Sequence, residues 1–372
     1  MRKKGLVVVY DPHNLYQFLW YYASYGVDTE WTALCLPNGN KGEYMSSFCQ
    51  KSGVFERVIS SKDSFLEKSM LKKLDIFLKM FFSYIIGKRT QLCKKLISNY
   101  VNIEDYSTLC VMTDVGIVSG MVVALGKEKE VVIFEDGIGD YAFRDNKFHF
   151  RYLKNPFDFM GFCLAKMGYS NPGHYFELKT TSFCTKYSSH PEKMPYQKYK
   201  DHKQLYNYEK TDLVTLNKIC DCTYSEYKPD EIDKYDAIVF TEAFNVYNAD
   251  VEWIKNKVYD FLDNKYSNVL FKKHPLDTAN YKKEKSFNVD VMSSEVPGEV
   301  IIPHLKGKDI YFMGMSSLLM YMTQYKDNIS FFYFNAVYEN NKSDGYLNYF
   351  SEEYMAEYIK NFEYDCNQII FL

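Results

Sequence analysis

Short apolar runs, each closed by glycine, proline or a polar turn, recur along the chain and alternate with longer stretches of helical period. GLVVVYD, residues 5–11, is a β-branched run that stops at Asp11-Pro12, and HNLYQFLWYYASYG after it has a helical pattern, so the chain opens on a β-α unit. WTALCLP and RVIS have the make-up of two further short strands. Between residues 64 and 100 the pattern is helical and interrupted at Gly87. Within it Leu71, Leu74, Leu78, Phe81 and Ile85 fall at spacings of three and four, which makes one apolar stripe. STLCVMTD and EVVIFEDG, residues 107–114 and 130–137, predict strands on either side of a helix around VSGMVVALG. From 176 to 234 the chain is polar, rich in Tyr and Lys and weakly periodic, which predicts loop and linker.

A second β/α series follows. YDAIVFTEAF predicts a strand, ADVEWIKNKVYDFLDNKY a helix and SNVLFKKHP a strand. VIIPHLKGKDIYFMGMSSLLMYMTQY adds a strand and the start of a helix, and NISFFYF a last strand. No sequence repeat relates the two series. The expected fold class is therefore α/β, with one Rossmann-like domain over residues 1–225 and another over 226–372, facing each other across a cleft where ligands bind.

Composition narrows the function classes. A length of 372 residues favours two domains, and 47% hydrophobic with 25% charged residues is an ordinary globular balance. The formal net charge of −3 argues against a general nucleic-acid binder, whose affinity comes largely from basic surface. Nine cysteines (Cys35, Cys49, Cys93, Cys110, Cys163, Cys184, Cys220, Cys222 and Cys366) show no repeated CxxC spacing, so reduced thiols in a cytoplasm are expected rather than a zinc site or disulfide framework. The apolar run near the N-terminus is too short for a signal peptide, and no stretch reaches the roughly 18 apolar residues of a membrane span. The 35 tyrosines, evenly spread, fit coding bias better than a sugar-stacking surface. Segment 64–100 carries eight Lys/Arg against two Asp/Glu. A core-facing helix with a solvated basic face is the plainer reading of it; contact with an anionic membrane or a partner is the alternative.

Three places have the residue types for chemistry. In FKKHP, His274 follows a buried strand and is fixed by Pro275, so it projects at the sheet edge, where an imidazole donates a proton near neutral pH. The same dipeptide at His190-Pro191 has no strand before it. In MGMSSLLMY, Ser316 and Ser317 follow a strand and open a helix, whose free N–H groups and dipole favour a phosphate; simple N-capping explains the pair equally well. In VVIFEDG, Glu135 and Asp136 stand at a strand end, where adjacent carboxylates serve as a metal site, a helix cap or a general base. No second Asp-x-Asp completes a metal site.

In this order FEDG, KHP and SS resemble the three short motifs of bacterial sialyltransferases, the polysialyltransferases and the lipooligosaccharide sialyltransferases of glycosyltransferase family 52. The resemblance implies a GT-B architecture and an inverting, metal-independent transfer of sialic acid from CMP-sialic acid to a hydroxyl of a galactose-ended bacterial surface glycan. It implies that Glu135 or Asp136, beside Gly137, is the base, that His274 with Pro275 acts on the departing CMP phosphate, and that Gly314, Ser316 and Ser317 cradle that phosphate. Lys272 matches a basic residue near the phosphate, and Glu299 in VPGE matches a glutamate that holds the ribose. In some family 52 members the base precedes the His-Pro motif, which makes Glu242 in VFTEAF the alternative. Asp11, His13 and Asn14 in YDPHN stand either beside the acceptor sugar or as caps of the following helix. The expectation is a cytoplasmic enzyme with no cofactor or metal, in contact with the inner face of the membrane through segment 64–100 if that segment's alternative reading holds, and a homodimer is admitted. Two other functions fit the sequence: a relative using another CMP-ulosonic acid or a UDP-sugar, and a non-catalytic partner in capsule assembly.

Overall fold

The apolar runs of the first half pair into one parallel sheet. The structure is a computed structural model in which the chain divides into two units, Met1–Ser225 and Glu226–Leu372. It describes residues 2–36, 42–60, 70–111, 117–126, 128–135, 201–207, 209–225, 229–247, 249–314, 329–334 and 368–372, with short stretches at 159–160, 163–164, 167, 184–188, 192, 316 and 318. The first sheet holds β1 (Lys3–Val9), β2 (Thr29–Cys35), β3 (Phe55–Ser60), β4 (Thr108–Val111), β5 (Glu130–Phe134), β6 (Cys184–Ser188) and β7 (Asp201–Gln204). Their order is β3-β2-β1-β4-β5-β6-β7, and every neighbouring pair is parallel.

A parallel sheet needs crossovers, and the helices that supply them cover both faces, so its central strands are apolar on both sides. These helices are α1 (Pro12–Tyr21), α2 (Gly42–Lys51), α3 (Met70–Ile85), α4 (Arg89–Ile97), α5 (Ile117–Leu125) and α6 (Leu213–Thr223). On one face Leu6, Val8, Leu109, Val111, Val131 and Ile133 pack with Met80 of α3, Cys93 and Ile97 of α4, and Met121 and Val122 of α5. On the other, Phe18 of α1 meets the edge of Trp31 at 4.9 Å between ring centroids, and Tyr21 meets Phe134 and Tyr187 at 5.5 and 5.2 Å. α1 begins where it does because Asp11 accepts the Asn14 amide at 2.8 Å and Pro12 occupies the first turn.

Two expectations are corrected here. The span 176–234 is not linker throughout: it contains β6, β7, α6 and a 3₁₀ turn at Pro229–Lys234. β6 and β7 lie at the outer end of the sheet, so few of their positions face a core and no apolar run forms. In β6 only Tyr187 and Ser188 are buried among the positions whose burial is described. The apolar stripe of α3 is also not its core face. Leu74, Leu78, Phe81 and Ile85 are exposed, whereas Met80 and Ser83 are buried and Ile76 and Phe77 pack partly against the core. The apolar positions of the helix cover more than half of its circumference, so the stripe alone does not select the docked side.

The second unit repeats the plan with β8 (Ala237–Phe240), β9 (Asn268–Lys272), β10 (Asn288–Met292), β11 (Asp309–Phe312), β12 (Ile329–Tyr333) and β13 (Gln368–Phe371). Their order is β10-β9-β8-β11-β12-β13, again all parallel. Helix α7 (Val251–Leu262) is capped by Asp250 and buries Ile254, Val258, Tyr259 and Leu262. Phe240 and Phe312 stack at 4.9 Å between centroids. In both sheets the chain winds outward from an internal first strand and then returns to that strand's other side. Two such doubly wound α/β units in succession are the make-up of a GT-B fold.

Gly5 of β1 lies under Trp31, and a Cβ there would stand 2.3 Å from the indole ring, whose Nε1 is held at 2.9 Å by the Gly26 carbonyl. Gly5→Ala is expected to destabilise the first unit by about 1–3 kcal/mol, through forced displacement of a buried ring. Chemical denaturation followed by tryptophan fluorescence measures it.

Candidate active site

Strand order in the second unit reverses between β8 and β11, and in open parallel sheets the carboxyl end of such a pair is where ligands bind. The chain brings chemistry to that edge. Beyond the strand ends the ladder continues: the Thr241 amide donates to the Lys272 carbonyl and the Met313 amide to the Phe240 carbonyl, both at 3.0 Å. The tips of β8, β9 and β11 are thereby held together. Glu242 follows β8, Lys272 ends β9 with His274 two residues on, and Gly314 follows β11.

Glu242 is partly buried and its Oε1 accepts the Ala243 amide at 2.8 Å. Burial pushes its carboxyl up to about 7, against the pull of that amide and with a smaller push from the Asp277 carboxylate. A Cβ on Gly314 would lie 3.1 Å from Glu242 Cγ and 3.3 Å from Oε2, so a bare backbone there leaves room for the acid. Lys272 is only 5% exposed, and its Nζ donates to the Lys273 carbonyl at 2.9 Å. Burial lowers its ammonium to about 8, opposed by the charge of Glu299. Glu299, itself buried, lies in the 3₁₀ segment Gly298–His304.

His274 is half-buried, and its loop is clasped from below. Thr241 Oγ1 accepts the His274 amide at 3.0 Å and donates to Asp277 Oδ2 at 2.6 Å, while the Asp277 amide closes a turn onto the His274 carbonyl at 3.0 Å. The Leu276 amide donates to His274 Nδ1 at 3.2 Å. A neutral imidazole that accepts at Nδ1 carries its proton on Nε2, so Nε2–H is the donor that this loop presents. Pro275 is exposed beside it. Thr241 and Asp277 escaped sequence reasoning. Their signals were a hydroxyl directly after an apolar strand and a carboxylate three residues after the histidine.

Ser316 is partly buried, and its Oγ accepts the Leu318 amide at 3.3 Å. Ser317 and the helix expected to begin there lie outside the described residues. In the first unit Glu135 is fully buried at the tip of β5, its amide donating to the Tyr187 carbonyl and its carbonyl accepting Gln17 Nε2, both at 3.0 Å. Asp136 and Gly137 lie outside the described residues. Asp11 and Asn14 hold the turn into α1, with Asn14 buried and its Oδ1 accepting the Tyr10 amide at 3.4 Å; His13 is half-buried on the same turn. Lys272, His274, Glu242 and Gly314 thus meet at one sheet edge of the second unit, with Glu299 acting electrostatically on Lys272. Among the described residues no three His, Cys, Asp or Glu side chains form a metal-holding group.

No curated protein sequence matches the chain. Among solved structures it is similar to UGT89C1 of Arabidopsis thaliana complexed with UDP, at 9% identity over 90% of this chain and 80% of that one, with a TM-score of 0.47. LpCGTa in complex with UDP gives 9% identity over 89% and 79%, with a TM-score of 0.48. CalG4, the calicheamicin glycosyltransferase, gives 10% over 97% and 84%, with a TM-score of 0.44. The profile described as alpha-2,8-polysialyltransferase (POLYST) matches residues 120–335, more than half of the chain, a span that takes in Glu135, Glu242, Lys272, His274, Glu299 and Ser316. By that match the chain belongs to the alpha-2,8-polysialyltransferase family of glycosyltransferases.

Proposed function

We propose that this chain transfers sialic acid, with inversion and without a metal, from CMP-sialic acid to a hydroxyl of a bacterial surface glycan. The observation that carries the reading is the meeting of Lys272, His274, Glu242 and Gly314 at the switch-point edge of the second unit, in a chain of this family. The acceptor hydroxyl attacks the anomeric carbon of the sialyl group as the bond from that carbon to the phosphate oxygen breaks. The electron pair leaves with CMP, and the hydroxyl proton passes to a carboxylate. His274 donates Nε2–H to the phosphate oxygen on which charge develops, and Lys272 faces the same charge. Stabilisation of the leaving group is worth most where water is excluded. Glu299 holds the ribose, and Ser316 and Ser317 the phosphate. The base is Glu242, whose pKa, raised to about 7, suits proton transfer near neutral pH, or the Glu135–Asp136 pair. Acceptors ending in galactose and in sialic acid are both to be tried, the second because of the family's description. CMP release from CMP-sialic acid with such acceptors tests the donor; release only from another CMP-ulosonic acid or from a UDP-sugar refutes it.

His274→Ala is expected to lower turnover by roughly 10²- to 10⁴-fold with CMP affinity changed only a few-fold, read by a CMP-release assay and calorimetry. Full turnover in that variant removes the histidine from the mechanism.

Glu242 also links pH to stability. Its carboxyl titrates near 7 when folded and at 4.5 by its ordinary value, so between those pH values the folded chain keeps a proton that the unfolded chain loses. Stability contributed by the neutral acid is present below about 4.5 and lost as pH rises through 7. Glu242→Gln is therefore expected to be more stable than the parent at pH 8, by up to about 3 kcal/mol, and no more stable at pH 4. If Glu242 is the base, the parent's kcat/KM falls on the acid side of about 7 and the variant loses turnover. If the variant keeps turnover, Glu135→Gln and Asp136→Asn are the substitutions that abolish it.

Lys272 titrates near 8, and a phosphate beside it would restore its charge. CMP binding near pH 9 should therefore take up close to one proton, seen as a dependence of the calorimetric heat on buffer ionisation. Lys272→Met should abolish that uptake.

A further inference from the structure

The last rung between β8 and β9 is made by backbone, and the one after it by a side chain. The Thr241 amide still donates to the Lys272 carbonyl, but the His274 amide donates to Thr241 Oγ1, at 3.0 Å. An amide can only donate and a carboxylate can only accept, so the Thr241 hydroxyl has a single orientation. It receives the His274 amide and gives its own proton to Asp277 Oδ2 at 2.6 Å. Asp277 is only 7% exposed, and among the described residues no Lys, Arg or His forms an ion pair with it. Its Oδ1 accepts the Ala279 amide at 2.9 Å, and the Tyr281 hydroxyl interacts with both Asp277 and Thr241. Tyr281 in turn stacks on Phe271 of β9 at 4.6 Å between centroids. A buried carboxylate without a cation costs desolvation, and an apolar pair would fill the same space without that cost. What an apolar pair lacks is direction.

We propose that Thr241 and Asp277 form a positioning unit for His274, fixing where its Nε2–H stands relative to the departing phosphate oxygen. The inference rests on the transferase reading above and adds to it two residues that act through the histidine. Stabilisation of a leaving group depends on the donor's distance and direction, and a shift of about 1 Å at a reacting group costs on the order of 10²-fold in rate. His274 stands in a turn beyond the sheet, where no ladder sets its place. Its amide is held by the Thr241 hydroxyl, its carbonyl by the Asp277 amide and its Nδ1 by the Leu276 amide. Two of these three ties run through the Thr241–Asp277 pair. A hydroxyl accepts from the amide and donates to the carboxylate with one atom. Serine keeps both bonds at this position; valine, of nearly the same shape as threonine, keeps neither.

The test compares Thr241→Val, Thr241→Ser, His274→Ala and the double variant Thr241→Val, His274→Ala in full chains, by CMP release from CMP-sialic acid. Thr241→Val is expected to lower kcat by roughly 10- to 100-fold with KM changed by about threefold or less, and Thr241→Ser to keep most of the parent's kcat. In the His274→Ala background Thr241→Val should cost almost nothing, because the residue through which it acts is gone. Losses that multiply in the double variant mark a merely structural role and overturn the proposal. So does parental kcat in Thr241→Val, or a serine variant no better than the valine one. If Thr241→Val does not fold, Asp277→Asn, which offers one acceptor oxygen to two donors, takes its place in the same cycle. Nitrogen NMR of the imidazole rings gives a readout that needs no turnover. His274, identified among the seven histidines by its loss in His274→Ala, should be protonated at Nε2 in the parent and in Thr241→Ser. That single tautomer should be lost in Thr241→Val, and its persistence there counts against the positioning unit. Full turnover in His274→Ala refutes the reading on which the inference rests; lost turnover in His274→Ala with parental turnover in Thr241→Val refutes the inference alone.

Discussion

Parallel pairing of β8 with both β9 and β11 is the constraint on which the site rests. In a parallel sheet all strands leave at one edge, so residues far apart in sequence arrive side by side without any dedicated contact between them. Thr241, Lys272 and Met313 are spread over some seventy residues, yet two backbone hydrogen bonds past the strand ends lock their tips together. The turn that carries His274 rests on the Thr241 hydroxyl, and that hydroxyl is oriented by Asp277.

That edge is also where the fold tolerates electrostatic cost. Lys272 and Glu242 are each driven towards their neutral forms by burial, and Glu299 opposes the trend only at the lysine. A protein selected for stability alone would place apolar side chains there. A phosphate beside Lys272 would restore the charge of that ammonium, while the same negative charge would raise the Glu242 carboxyl further. The edge is thus electrostatically costly by itself and suited to an anion beside Lys272, as expected of groups kept for chemistry.

Much of this was legible beforehand, and the reasons differ by element. The central strands announced themselves because burial on both faces makes them continuous apolar runs, as in LVVV of β1 and AIVF of β8. β6, β7 and β10 did not, because outer strands carry few core positions; NVDVM of β10 alternates weakly and CTKYS of β6 hardly at all. The face of α3 was misjudged because a helix apolar on most sides gives the period no phase. At the site, His274 could be named from its strand end, and Lys272 and Glu242 only through the family resemblance. Thr241 and Asp277 could not, since their importance comes from a hydrogen bond spanning 36 positions. The tautomer of His274 is a property of the Leu276 amide's direction, which no residue code records.

The close approach of Gly314 to the Glu242 side chain has an evolutionary consequence. The two positions belong to different strands but share one small volume, so neither drifts alone. A lineage that acquires alanine at 314 must move the Glu242 side chain by a few tenths of an ångström, and a lineage that loses the acid is released to enlarge the glycine. Across descendants of this chain, substitutions at the two positions should therefore be correlated.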